Sequence, residues 1–151
     1  MRVAVTEDAP QLLELWSLVY DDVDPSAHET WRHNALDWFA DAVLDAGTAY
    51  FPVVASGGAI VATAIGTLEL GVPNPHCPAG RTVRLANVIT RPAHRGQGHA
   101  TSLVGAVVDW ARSIDADRID LSATPAAERI YERAGFVRTT APRMKLVLAG
   151  A

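Results

Sequence analysis

The sequence predicts an α/β (α+β) fold in which a mixed central sheet carries helices on both faces. Three observations lead there. Two apolar runs meet at Gly57-Gly58, which forces an antiparallel hairpin. Two helical patterns, near residues 98–115 and 126–134, each follow a strand and favour parallel pairing by crossover. At 151 residues, 49% hydrophobic and 20% charged, the chain suffices for one domain with a buried core, expected over residues 1–151.

Residues 2–5 (RVAV) are a short β-branched run, and Thr6 with Glu7, Asp8 and Pro10 reads as a helix start. Leu12, Leu15, Trp16 and Val19 then recur at helical spacing. An acidic link at 21–26 (DDVDPS) leads to a second helix expected from about residue 29 to 45, with Trp31, Ala35, Trp38 and Ala42 on one stripe and Gly47 as its stop. The hairpin fills 50–70. Residues 71–82 (GVPNPHCPAGRT), with three prolines and two glycines, read as a loop, and 83–90 (VRLANVIT) as the next strand. Leu103, Val107, Trp110 and Ile114 mark the following helix. RIDLSA at 118–123 is a strand, PAAERIYERAG at 125–135 a short helix closed by Gly135, and FVRTT and RMKLVL two further strands parted by Pro142. The expected order is β-α-α-β-β-β-α-β-α-β-β, without internal repeat or linker.

A net charge of −4 argues against nucleic acid as a partner. Cys77 is the only cysteine, so no intrachain disulfide is expected. Neither the start of the chain nor any later run is long and apolar enough for a signal peptide or membrane span, which makes a cytoplasmic location the default and a membrane partner unexpected. His28 with His33 and His94 with His99 are five apart, off the three- or four-residue spacing of a helix face, so no metal is expected. A homodimer is left open.

Chemistry concentrates where Pro92 ends the strand and HRGQGHA opens a helix. Small residues there let backbone amides approach a ligand at a helix N-terminus, where the dipole favours an anion, and Arg91 and Arg95 add positive charge. A diphosphate suits this turn. The turn is neither a Walker loop nor a Rossmann fingerprint.

The segment 95–100 (RGQGHA) resembles the signature of the GNAT N-acetyltransferase superfamily, with Arg95, Gly98 and Ala100 on its fixed positions. AAERIYERAGF is similar to the same family's second motif through Ala127, Ile130, Tyr131, Glu132, Gly135 and Phe136. The element order agrees along essentially the whole chain. The resemblance implies a mostly antiparallel sheet and acetyl-CoA as co-substrate. Pantetheine would lie along the strand at Val88, Ile89 and Thr90, and the diphosphate on the amides of Arg95, Gly96, Gln97, Gly98, His99 and Ala100. A backbone amide near Val88 or Ile89 would stabilise an oxyanion. Tyr131 would protonate the leaving thiolate, a phenol with pKa of about 10 being a suitable donor. Thr124 stands where many relatives carry an asparagine that helps hold the cofactor.

The implied activity is direct transfer of acetyl to a primary amine, of a small molecule or a peptide, in a ternary complex. A non-catalytic acyl-CoA-binding module and transfer of a longer acyl chain are the alternatives. For the base, Glu69 is the only acid in the apolar run 50–70, and Asn87 could order a water. His76-Cys77 reads as loop, near the acceptor pocket at most. Asp21, Asp22 and Asp24 read as a solvated turn or, by family position, as an attraction for a cationic amine. Trp16, Trp31 and Trp38 fit core stripes, with a share in the acceptor wall.

Overall fold

The computed structural model describes residues 1–24, 26 and 28–149; Pro25 and Ala27 of the link, and the side chain of His28, lie outside the described residues. The elements are β1 (Arg2–Val3), α1 (Ala9–Ser17), α2 (His28–Ala42), β2 (Ala49–Tyr50), β3 (Pro52–Ser56), β4 (Ala59–Leu70), β5 (Arg81–Thr90), α3 (His99–Ser113), β6 (Arg118–Asp120) and α4 (Glu128–Arg133). They form a six-stranded sheet in the order β1-β3-β4-β5-β6, with β2 also paired to β4. All pairs are antiparallel except β5 with β6, which the α3 crossover joins in parallel. The mixed, mostly antiparallel sheet is therefore as expected.

The hairpin turns through Gly57 and Gly58, both at positive φ (58° and 82°), the geometry that matches the twist of the flanking strands. Its strands separate two apolar layers. Leu12, Leu15 and Trp16 of α1 and Phe39 of α2 pack on Val53, Ile60, Ile65 and Ile89. Leu103, Val104, Val107 and Trp110 of α3 pack on Ala62, Ala64, Val83 and Leu85 across the sheet. The α3 contact is close because position 66 has no side chain: a Cβ there would meet the Trp110 ring at 2.9 Å and Val107 at 3.0 Å. Trp110 also stacks on Tyr50 at 5.5 Å and donates to the Ala46 carbonyl at 2.8 Å. Arg2 makes a bidentate pair with buried Asp8, whose second task is to accept the Val5 amide; these bonds hold its carboxyl below the usual range and fix the entry to α1.

Several boundaries move. α2 ends at Ala42, and the chain continues as a turn in which the Leu44 amide donates to the Asp41 carbonyl and the Asp45 amide to the Ala42 carbonyl. Ala35 and Ala42 of the expected stripe pack against the core, but the deepest residue of α2 is Phe39, fully buried, whereas Trp38 is 44% exposed, so the buried face extends toward Phe39 and Val43. Arg81 and Thr82, read as loop, join β5 because Leu70 and Glu69 pair with them. The two terminal strands are not formed: FVRTT and RMKLVL run without strand pairing, and Val137, Met144, Leu146 and Leu148 are exposed. Alternating apolar residues favour a pleated surface but supply no partner, and β6 offers an edge of only three residues.

The proline-rich loop is closed by a structural clip. Asp117 accepts the amides of Ala79 and Arg81, each at 3.0 Å, and the Cys77 thiol at 3.2 Å, which lowers its pKa. Cys77 is buried in this clip, consistent with its reading as a loop residue.

Candidate active site

The site begins with an irregularity in β5. Ile65 pairs with Ala86 and Thr63 with Ile89, so Asn87 and Val88 together oppose the single residue Ala64. This is a bulge, and Asn87 takes it up at φ 51°, a left-handed conformation that asparagine tolerates better than most residues. The two residues of the bulge serve opposite faces, and the residues flanking them both face α1 and α2. Ala86 and Asn87 line a cleft under α1 and α2, while Val88 packs in the α3 layer with Tyr131 and Phe136. Ile89 is buried in the α1/α2 layer.

Beyond the bulge, β5 has an open edge. Its parallel ladder to β6 covers only Thr82, Val83 and Arg84, so among the described residues no strand flanks 85–90 on that side. Thr90 pairs with Ala62 on the other side, and its carbonyl accepts Arg95 Nε at 3.2 Å. Backbone groups facing the gap are available to an extended ligand.

The turn that follows is built as a cradle. A single 3-10 turn at Pro92–His94 leads to Gly96 and Gly98 at φ 75° and 80°, and Gly98 caps α3. A Cβ at either glycine would meet nothing within 4 Å, so the demand for glycine is conformational and the outer side is open. No acceptor among the described residues takes the amides of 96–101, which include Gly96, Gln97, Gly98, His99 and Ala100. Unpaired amides at a helix start are an anion site. Arg91, expected to add mobile charge here, does not: it donates to the Ile60 carbonyl and pairs with Glu14 of α1, both at 3.0 Å. Arg95 remains exposed beside the turn.

Tyr131 on α4 is half-buried, stands edge-on to Phe136 at 5.9 Å, and its hydroxyl bonds to none of the described residues. Burial raises its pKa, which keeps the phenol protonated. Its ring lines a cavity of about 240 Å³ shared with Leu121 and Phe136. Thr124 is exposed and its carbonyl accepts the Ala127 amide, which starts the turn into α4. An opening of about 680 Å³ lies along the free edge of β6 and includes neither Tyr131 nor the glycine turn.

The expected base residues separate. Asn87 sits at the bulge. Glu69 is exposed and paired with Arg84 at 2.9 Å, and it lies four residues beyond Ile65, about 13 Å along an extended strand. Asp21 and Asp22 are exposed next to Tyr20, which lines the cleft. The bulge escaped the sequence reading, whereas Trp16, Trp31 and Trp38, singled out there, do line the α1/α2 cleft. An asparagine inside an apolar strand run was the one available signal, since that residue is depleted in strands and enriched at positive φ.

Comparison with known proteins bears on this arrangement. The model of the acetyltransferase (GNAT) family matches residues 11–136. Among solved structures, a GCN5-related N-acetyltransferase from Ralstonia eutropha JMP134 superposes with a TM-score of 0.83 at 21% identity, covering 99% of this chain and 97% of that one. A "predicted acetyltransferase with acetyl-CoA" from Clostridium acetobutylicum gives 0.83 at 22% identity, with 97% and 94% covered. The glucosamine-6-phosphate N-acetyltransferase of Arabidopsis thaliana gives 0.77 at 17% identity, with 96% and 95% covered. At such identities these likenesses establish the fold. A search of curated protein sequences finds no match.

Proposed function

This chain belongs to the GNAT acetyltransferase family, and we propose that it is an acetyl-CoA-dependent N-acetyltransferase acting on the primary amine of a small molecule or peptide. The observation that carries the reading is the continuity of three features: unpaired amides at 96–101, the open edge of β5 beyond residue 84, and the bulge at Asn87. The first suits a diphosphate, the second an extended amide-bearing arm, and the third a reacting carbonyl beside backbone freed from its ladder.

In this reading Arg95, Gly96, Gln97, Gly98, His99 and Ala100 hold the diphosphate, and Val88, Ile89 and Thr90 orient the arm. Thr124 contributes at most a backbone or hydroxyl contact at the mouth of α4. The amine nitrogen bonds to the acetyl carbonyl carbon, an amide of the bulge near Val88 or Ile89 steadies the oxyanion, and the carbon–sulfur bond breaks. The departing sulfur takes the Tyr131 proton. The proton lost by the amine passes to a water held by Asn87, whose position in the cleft favours it over the distant, ion-paired Glu69.

The test is to incubate the protein with acetyl-labelled acetyl-CoA and a panel of primary amines and to follow free CoA and labelled product. Stoichiometric CoA and N-acetyl product are expected with at least one amine. Binding of acetyl-CoA without product from any amine would favour the acyl-CoA-binding module instead.

A further inference from the structure

The cleft beneath α1 and α2 is aromatic. Trp16, Tyr20, Trp31 and Trp38 line it from the helical side, and Ile65 and Asn87 from the sheet, around a volume of about 310 Å³. That is the small end of the range of about 300–1,000 Å³ common for ligand sites, which suits a compact molecule. The rings are gathered in two touching pairs: Tyr20 and Trp31 lie 5.4 Å apart and inclined at 59°, and Trp16 and Trp38 6.3 Å apart at 58°. Tyr20 and Trp38 remain 43% and 44% exposed, a large amount of aromatic surface left uncovered at the mouth.

Polar groups are few and localised. Thr67 and Asn87 line the floor, and the Trp16 Nε1 donor is buried without a partner among the described residues. No charged side chain among the described residues lines the cleft. Arg32 stacks on Trp31 at 5.8 Å and donates to Ser17 Oγ at 2.7 Å. The nearest described acids by sequence, Asp21 and Asp22, follow Tyr20 and are exposed to solvent. An acceptor with several charges would have to desolvate them against apolar walls without a counter-ion. A flat apolar body with one amine would instead cover the exposed rings by stacking and leave its nitrogen at the polar floor by the bulge.

We propose that the acceptor is an arylalkylamine: a primary amine joined by a short aliphatic link to an aromatic ring, the ring covering the exposed Tyr20 and Trp38 in the cleft and the nitrogen at Asn87. This rests on the transferase reading above. The reaction forms the nitrogen–carbonyl bond, breaks the carbon–sulfur bond, passes one amine proton to water and returns one proton to sulfur, giving the N-acetylarylalkylamine and CoA.

The test uses saturating acetyl-CoA with 2-phenylethylamine, n-butylamine and spermidine. The wild-type protein should prefer 2-phenylethylamine over the other two in kcat/KM by about tenfold or more, the scale that a well-filled apolar pocket supplies. Trp38→Ala and, separately, Tyr20→Ala should each reduce the preference over n-butylamine by several-fold; Tyr20 is 43% exposed and outside the buried core clusters, so the second variant guards against misfolding of the first. An equal or greater kcat/KM for n-butylamine or spermidine, or a preference unchanged in both variants, overturns this proposal while leaving the transferase reading intact. No turnover with any amine, across a wider amine panel as well, overturns both.

Discussion

Tyr131 carries the sharpest expectation of any single residue. Its ring packs against Phe136, and its hydroxyl bonds to none of the described residues, so Tyr131→Phe removes a proton donor and little else. The turnover number should fall by about 10²- to 10⁴-fold with acetyl-CoA affinity nearly unchanged, read from steady-state kinetics and a binding titration. Burial raises the folded-state pKa above that of the unfolded chain. The neutral phenol is therefore favoured by folding, a contribution complete below the ordinary value of about 10 and lost as pH rises through the folded value. The alkaline limb of kcat due to Tyr131 should accordingly lie above pH 10 and be absent from the phenylalanine variant. Residue identity was legible where a local conformation demanded it, as at Gly96 and Gly98. It was misleading for Arg91, whose partner Glu14 is 77 positions away in sequence and adjacent only after folding.

Elements were legible where periodicity and punctuation agreed. The Gly57-Gly58 hairpin and α3 are where the residues predict them, because turn chemistry and a 3.6-residue stripe are local properties. The place of Phe39 as the deepest residue of α2 was not readable, since several aromatic residues on that helix are equally apolar and only the sheet beneath selects among them. Nor was the fate of FVRTT and RMKLVL, as strand propensity says nothing about an available edge. The packing of α3 on β4 offers a direct check. Gly66→Ala would place a Cβ 2.9 Å from the Trp110 ring and 3.0 Å from Val107. Overpacking of this kind costs about 1–3 kcal/mol, so the melting temperature should drop by several degrees, and an unchanged value would mean that the helix can slide away without loss.

At the scale of the whole molecule, the sheet separates the two surfaces to which the proposed function assigns the substrates, and the β5 bulge joins them. On the α3 side lie the glycine turn, the open strand edge and Tyr131; on the other lies the aromatic cleft. A direct transfer between two bound substrates needs such an arrangement, each approaching its own face and meeting at one interruption of the ladder. With a net charge of −4, the proposed function rests the binding of an anionic co-substrate on a local cradle of amides rather than on the overall field. Calorimetric titration of acetyl-CoA into the wild-type protein, Gly98→Asn and Gly98→Asp tests this most directly. Both variants accept the same left-handed backbone and open space, and they differ only in charge at the cradle. Wild type should bind, Gly98→Asn more weakly, and Gly98→Asp at least about tenfold more weakly than Gly98→Asn, a difference of ~1.4 kcal/mol. Equal affinities in all three folded proteins would contradict the assignment of the glycine turn to the diphosphate.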